Sequence, residues 1–339
     1  MTSRREVARQ AKVSPTTVSR VTNGNGYVSP EARRRVLDAV RDLNYFPNKT
    51  ARSLRMQSSM EIACITHNIV NPFYGEMVLG IEEVAVRHGY SLSIYIENFD
   101  ERDYQRMFHE NSYEGLIVLS PVELNRVLGL SELKEVLPTV VYWDWSGESP
   151  LSAVTVDLRT AMRQLTNHLI VRGHRDIVFL GHETMTPEEN PRYLGYLDAH
   201  AERGLSVSSE NVQLVEGWHD SSTDGYQFLR KVLQRHSPFT AVAASTDMLA
   251  IGAMKALSEF GLRVPEDVSV VGCDNLELSA LVTPSLTTVN IPRRAIGRAL
   301  MNALLNKLGN SSEAYETQFD TTLVLRDSVR TVPRVAMEE

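Results

Sequence analysis

The chain has 339 residues, 42% hydrophobic and 23% charged, with a formal net charge of −7. That is enough material for two or three compact units, and no apolar run reaches the roughly 18 residues that a membrane helix needs. Only two cysteines occur, Cys64 and Cys273, both in apolar strand-like runs, which excludes a disulfide framework or a cysteine-rich metal site.

The start, "MTSRREVARQ", is charged without an apolar block behind it, so it is no secretory signal and the cytoplasm is the expected compartment. Residues 1–60 hold 12 Lys or Arg against 4 Asp or Glu, a charge of +8, while the remainder carries −15. A basic head on an acidic body points to a polyanion contact confined to the head, against the plainer reading of a solvated basic surface.

Periodicity in the head predicts three helices. Val7, Ala8 and Ala11 give the first a short apolar face. "KVS" breaks the chain, Ser14 caps a second helix with Pro15 at its first position, and Val18 and Val21 face inward. "NGNG" ends it, and Ser29 caps a third helix with Val36, Leu37, Val40 and Leu43 on its buried side. Two short helices at a tight turn, braced by a third, make a helix-turn-helix. The second helix then displays Thr16, Thr17, Ser19 and Arg20, whose hydroxyls and guanidinium suit base edges and phosphates. In "NYFPNKTARSLRMQSS", Tyr45 and Phe46 can pack on the head, and "KTARSLRM" is a helix too short to persist without a partner.

From residue 61 strands alternate with amphipathic helices: "EIACITHNI", "GEMVLGIEEVAVRHGY", "SLSIYIEN", "EGLIVLS", "PTVVYWDW", "DLRTAMRQLTNHLIVRGH", "DIVFLG", "TAVAAS", "DMLAIGAMKALSEFG" and "VSVVGCD". Such alternation implies parallel sheets covered on both faces, and the length implies two lobes with a switch near residues 156–160. The tail "SVRTVPRVAMEE" has no leucine heptads and reads as a frayed end.

Together, "EVARQAKVSPTTVSRVTNG" and "VSPEARRRVLDAVRDLNYFPNKTARSLR", with "NPFYGEMVLGIEEVA", "RYLGY", "STDMLAIGAMKAL", "DVSVVGCDN" and "TPSLTTVNIP" in that order, resemble the LacI/GalR family of bacterial transcription regulators along nearly the whole chain. The resemblance implies a two-lobed α/β body like a periplasmic binding protein behind an all-α helix-turn-helix head and a short hinge helix. The implied division is 1–46 for the head, 47–60 for the hinge, 61–157 plus 291–319 for lobe one, and 158–290 plus 320–339 for lobe two.

It also implies a homodimer on a near-palindromic double-stranded operator and a small effector between the lobes. Pro15, Thr16, Thr17, Ser19, Arg20 and Asn23 fall on the family's DNA-contact positions. Leu54 stands where hinge helices wedge the minor groove, with Arg55 beside it. Arg192 and Asp274 fall on the cleft positions, Phe73 and Tyr74 on the lobe-one floor, and Thr246 where the lac repressor uses an asparagine. Asp144 and Trp145 end a lobe-one strand, where open α/β sheets bind ligands, and Trp218 lies near a family aromatic position.

Aromatics, acids and one arginine favour a sugar or polyol effector. The arginine and threonine of a purine-binding relative appear here as Thr186 and Glu188. The alternatives are a purine- or sugar-acid-responsive regulator of the same fold, or a transport protein or carbohydrate-active enzyme. No catalytic residue, metal ligand or cofactor is expected, since "GHETM" lacks the second histidine of H-E-x-x-H and no phosphate loop or nucleophile elbow occurs. The stretch between "IENFD" and "EGLIV" is shorter than the family norm, which leaves the lobe-one dimer face open near 100–113.

Overall fold

The computed structural model describes residues 2–23, 26–45, 58–66, 68–96, 113–119, 137–143, 149–183, 190–216, 221–235, 238–309 and 316–333. The chain divides into Met1–Met60 and Glu61–Glu339.

In the first unit α1 (Arg4–Gln10), α2 (Pro15–Asn23) and α3 (Pro30–Asp42) pack on one another. Each start is chemically specified. Ser3 and Glu6 form a capping box on α1, the Thr17 N–H donates to Ser14 Oγ at 3.1 Å, and the Ala32 N–H donates to Ser29 Oγ at 3.4 Å. Lys12 turns the chain between α1 and α2 at a φ of 51°. Val7, Ala8, Ala11, Val18, Val21, Val36 and Ala39 make the small core, with Val40, Leu43 and Tyr45 packed against it. Arg35 Nε reaches across to the Ala11 carbonyl, tying α3 to the end of α1.

The expectation for Leu37 is corrected. Val36, Ala39, Val40 and Leu43 follow one helical face, and Leu37 lies off it, 46% exposed.

The second unit holds two parallel sheets. β1 (Glu61–Thr66), β2 (Ser91–Ile96), β3 (Gly115–Val118), β4 (Thr139–Trp143) and β5 (Ser152–Val156) join β11 (Glu316–Phe319) in the order β11-β5-β4-β3-β1-β2. β6 (Ile177–Glu183), β7 (Val212–Glu216), β8 (Ala241–Ala244) and β9 (Ser269–Val271) are ordered β7-β6-β8-β9. A short antiparallel pair joins β10 (Thr288–Asn290) to β12 (Thr322–Val324).

The central strands are apolar almost throughout because both faces are covered, while the edge strands β2 and β11 are partly exposed. Ile62 and Cys64 enter one core while Ala63 and Ile65 enter the opposite one. The same alternation sends Ile177 and Phe179 one way and Val178 and Leu180 the other. Among the described residues three helix pairs cover the sheets: α4 (Pro72–Arg87) with α10 (Arg293–Leu308), α5 (Leu158–Val171) with α6 (Pro191–Ala201), and α7 (Ser222–Gln234) with α8 (Asp247–Glu259); a short α9 (Glu277–Leu281) follows β9. Gly297 lets α10 approach the Met77 carbonyl of α4 too closely for any side chain.

The chain leaves the six-stranded sheet after β5 into α5, returns through β10 to α10 and β11, and leaves again along β12. Val156, Leu158, Val271, Cys273, Val289, Ile291 and Ile296 share one core at these crossings.

The tail is not frayed as far as it is described. Ser328 is buried, donating to the Val270 carbonyl and accepting from the Thr287 N–H, and the Val332 N–H donates to the Arg172 carbonyl. His174 bridges Thr240 Oγ1 and the Arg330 carbonyl. Burial and the neighbouring Arg330, Arg172 and Arg175 hold that imidazole down to about 4. Hydrogen-bond complementarity to the edge at β9, invisible in a heptad search, fixes residues 327–332. Among the described residues no helix is long and apolar enough to cross a membrane.

Candidate operator-reading surface and effector site

In the head, α2 is held by its buried Val18 and Val21, which fixes what it shows. Pro15, Thr16 and Arg20 are exposed, and Thr17 and Ser19 are half-buried. Thr17 Oγ1 lies 2.9 Å from Ser14 Oγ, so this hydroxyl already has a partner within the cap, whereas Thr16 does not share it. Asn23 closes the helix. Leu54 and Arg55 lie outside the described residues.

In the body, Asp274 lies just beyond β9 with a φ of 136° and is 1% exposed, and Asn275 follows at 54°. A non-glycine pair in this region is strained and needs its surroundings to hold it. The Asp274 N–H donates to the Val289 carbonyl, the Asn275 N–H to Thr288 Oγ1 at 3.2 Å, and the Leu276 N–H to Asp247 Oδ2 at 2.8 Å. Arg326 donates to Asn275 Oδ1 at 2.6 Å and to the Leu286 carbonyl at 2.7 Å.

Asp247, at the start of α8, also accepts from Thr288 Oγ1 at 2.6 Å. Burial pushes its carboxyl up to about 6, against the opposing pull of those hydrogen bonds and of Arg293.

Arg192 stands in the first turn of α6, where Asn190 Oδ1 accepts from the Arg192 and Tyr193 N–H groups. The Cys273 thiol is raised by its burial and by the Asp274 charge, and lowered by the Arg192 charge and hydrogen bond. The Arg192 side chain thus acts on the buried Cys273, whose chain neighbour is Asp274, so a planar donor fork and a carboxylate both bear on this strand end.

Phe73 and Tyr74 are buried at the start of α4 in edge-to-face contact, with Phe73 also edge-on to Tyr142. Thr246 is buried and caps α8, accepting from the Leu249 N–H. Asp144, Trp145, Trp218, Thr186 and Glu188 lie outside the described residues, as does the shortened stretch at 97–112.

Sequence reasoning missed Asp247, Thr288, Arg293 and Arg326. Asp247 had a visible signal, an acid opening a helix directly after a strand. The others are brought in only by the crossings. Among the described residues no cluster of His, Cys, Asp or Glu has the grouping of a metal site.

A helix-turn-helix unit ahead of a two-sheet binding body defines a ligand-responsive DNA-binding regulator. The family description "Bacterial regulatory proteins, lacI family" matches residues 5–48, and "Periplasmic binding protein-like domain" matches residues 166–329. The HTH-type transcriptional repressor PurR of Histophilus somni (strain 129Pt) is 32% identical over 98% of this chain and 100% of its own length. A crystal structure of the lac repressor dimer bound to operator and the anti-inducer ONPF is 26% identical, with a TM-score of 0.78, covering 96% of this chain and 98% of that one. The transcriptional regulator CelR–cellobiose complex is also 26% identical, with a TM-score of 0.72, over 97% and 100% of the two chains. The chain belongs to the LacI family and is a DNA-binding transcriptional regulator with an effector-binding body.

Proposed function

We propose that the protein is a repressor whose operator affinity is set by a small neutral ring compound held between lobe one (61–157 plus 291–319) and lobe two (158–290 plus 320–339), and that this compound is a purine base. The observation that carries the reading is the buried, positive-φ turn that holds Asp274 beyond β9, beside Cys273 on which the Arg192 side chain also acts. A purine edge presents acceptors beside N–H donors, which complements a guanidinium fork next to a carboxylate. Full-length similarity to repressors named PurR supports this choice of ring.

A carbohydrate is the second reading, supported by the cellobiose complex of a similar fold, because sugar hydroxyls satisfy the same two groups. In both readings Thr16 and Arg20 meet the operator from α2, and Leu54 and Arg55 meet it from the hinge.

The test is a thermal-shift screen of guanine, hypoxanthine, adenine, cellobiose and ribose, followed by calorimetry on Arg192→Ala and Asp274→Ala. Hydrogen bonds to charged groups contribute roughly 1.5–3 kcal/mol, so each variant should bind at least about tenfold more weakly. Unchanged affinity in both removes the pair from the site. A shift with the sugars alone replaces the purine reading by the carbohydrate one.

A further inference from the structure

Arg293 opens α10 and is only 6% exposed, and its guanidinium is divided between two parts of the fold. Nη1 donates to the Asp274 carbonyl and Nη2 to the Asn275 carbonyl at 3.0 Å. Nε and Nη2 each lie 3.2 Å from the carboxylate of Glu76, in the second turn of α4. One side therefore grips the strained loop beyond β9, and the other grips the helix that starts with Phe73 and Tyr74 against the six-stranded sheet.

We infer that Arg293 is a positioning residue that holds the Asp274 loop in its ligand-facing conformation and couples that loop to α4. This rests on Asp274 being the effector contact proposed above. A planar fork with five donors can serve two carbonyls and a carboxylate at once, while an ammonium offers three donors at one point. The nearby pairs of Arg294 and Arg298 with Glu83 also join α10 to α4, but their arginines are 53% and 41% exposed, and among the described residues these pairs link helix to helix. They provide an internal control for ion pairs that only brace the helices.

Two measurements on the full-length chain test the inference. The first is hydrogen exchange without ligand. In Glu76→Gln the Asn275 and Leu276 amides should exchange at least about threefold faster than in the parent, while Phe179 in β6 keeps its rate and Glu83→Gln changes neither. Arg293→Lys should accelerate the same two amides. Unchanged rates at 275 and 276 in Glu76→Gln, or equal acceleration at Phe179, would overturn the coupling.

The second uses hypoxanthine or cellobiose, whichever raises the melting temperature of the parent. Glu76→Gln should bind that probe within about threefold of the parent, yet the ratio of operator affinities with and without it should fall at least about threefold. An unchanged ratio refutes the link. The exchange experiment contains no effector, so it decides on Arg293 even where the ligand screen goes against the proposed effector.

Discussion

Asp247 makes stability depend on pH in a direction opposite to the usual carboxylate. An unfolded aspartate titrates near 3.8, and burial at the start of α8 raises this one to about 6. Between those values the folded chain holds the extra proton, so the residue's favourable contribution is complete below pH 4 and is lost as pH rises through 6. The gap corresponds to about 3 kcal/mol. Asp247→Asn removes the titration, leaving one oxygen to accept where the carboxylate accepts from both Thr288 Oγ1 and the Leu276 N–H. That lost acceptor costs about 1–3 kcal/mol at every pH, so the absolute stability of the variant is not the discriminating quantity.

The difference between parent and variant is. Denaturant unfolding of both chains at pH 4, 5, 6 and 7 should show the asparagine chain gaining on the parent by about 2.4 kcal/mol across the series. A difference that stays flat with pH, or that moves in the parent's favour, would refute burial as the dominant influence on this carboxyl.

Removal of residues 1–60 should abolish specific operator binding and leave effector affinity intact, checked by anisotropy and calorimetry on the same preparations. Specific binding by the truncated body would contradict the assignment of the head. Arg20→Ala should cost about 1–3 kcal/mol and relax one base position if the guanidinium reads guanine, whereas a uniform loss over all sequences would assign it to phosphate. In the head core, Val36→Ala should destabilise by roughly 2 kcal/mol, while Leu37→Ser on the exposed side should change stability by under about 0.5 kcal/mol; equal effects would refute the orientation of α3. Ser328→Ala leaves the Thr287 N–H and the Val270 carbonyl short of a partner and should cost about 1–3 kcal/mol; no loss would mean that the tail contributes nothing.

The sequence determined what depends on local chemistry. Helix starts at Ser3, Ser14 and Ser29 are written in the cap residues, and the spacing of Val18 and Val21 decides that Thr16 and Arg20 face outward. Apolar runs such as "EIACIT" and "AVAA" are strands covered on both faces.

Leu37 lies off the face that Val36 and Val40 define, a distinction that a run of apolar letters does not resolve. The order of the tail is illegible in sequence for a different reason: its anchors are single hydrogen bonds to Thr287, Val270, Ser269 and Arg172, which leave no periodicity. The cleft shows the same limit more sharply. Asp274 and Arg192 could be found from their motifs, but only the crossings place Arg293 against Glu76, 217 positions earlier, and Thr288 against Asp247, 41 positions earlier. Local propensity fixes where elements begin and which way they face. The contacts between residues far apart in the chain arise where distant segments fold back, and tertiary structure alone decides them.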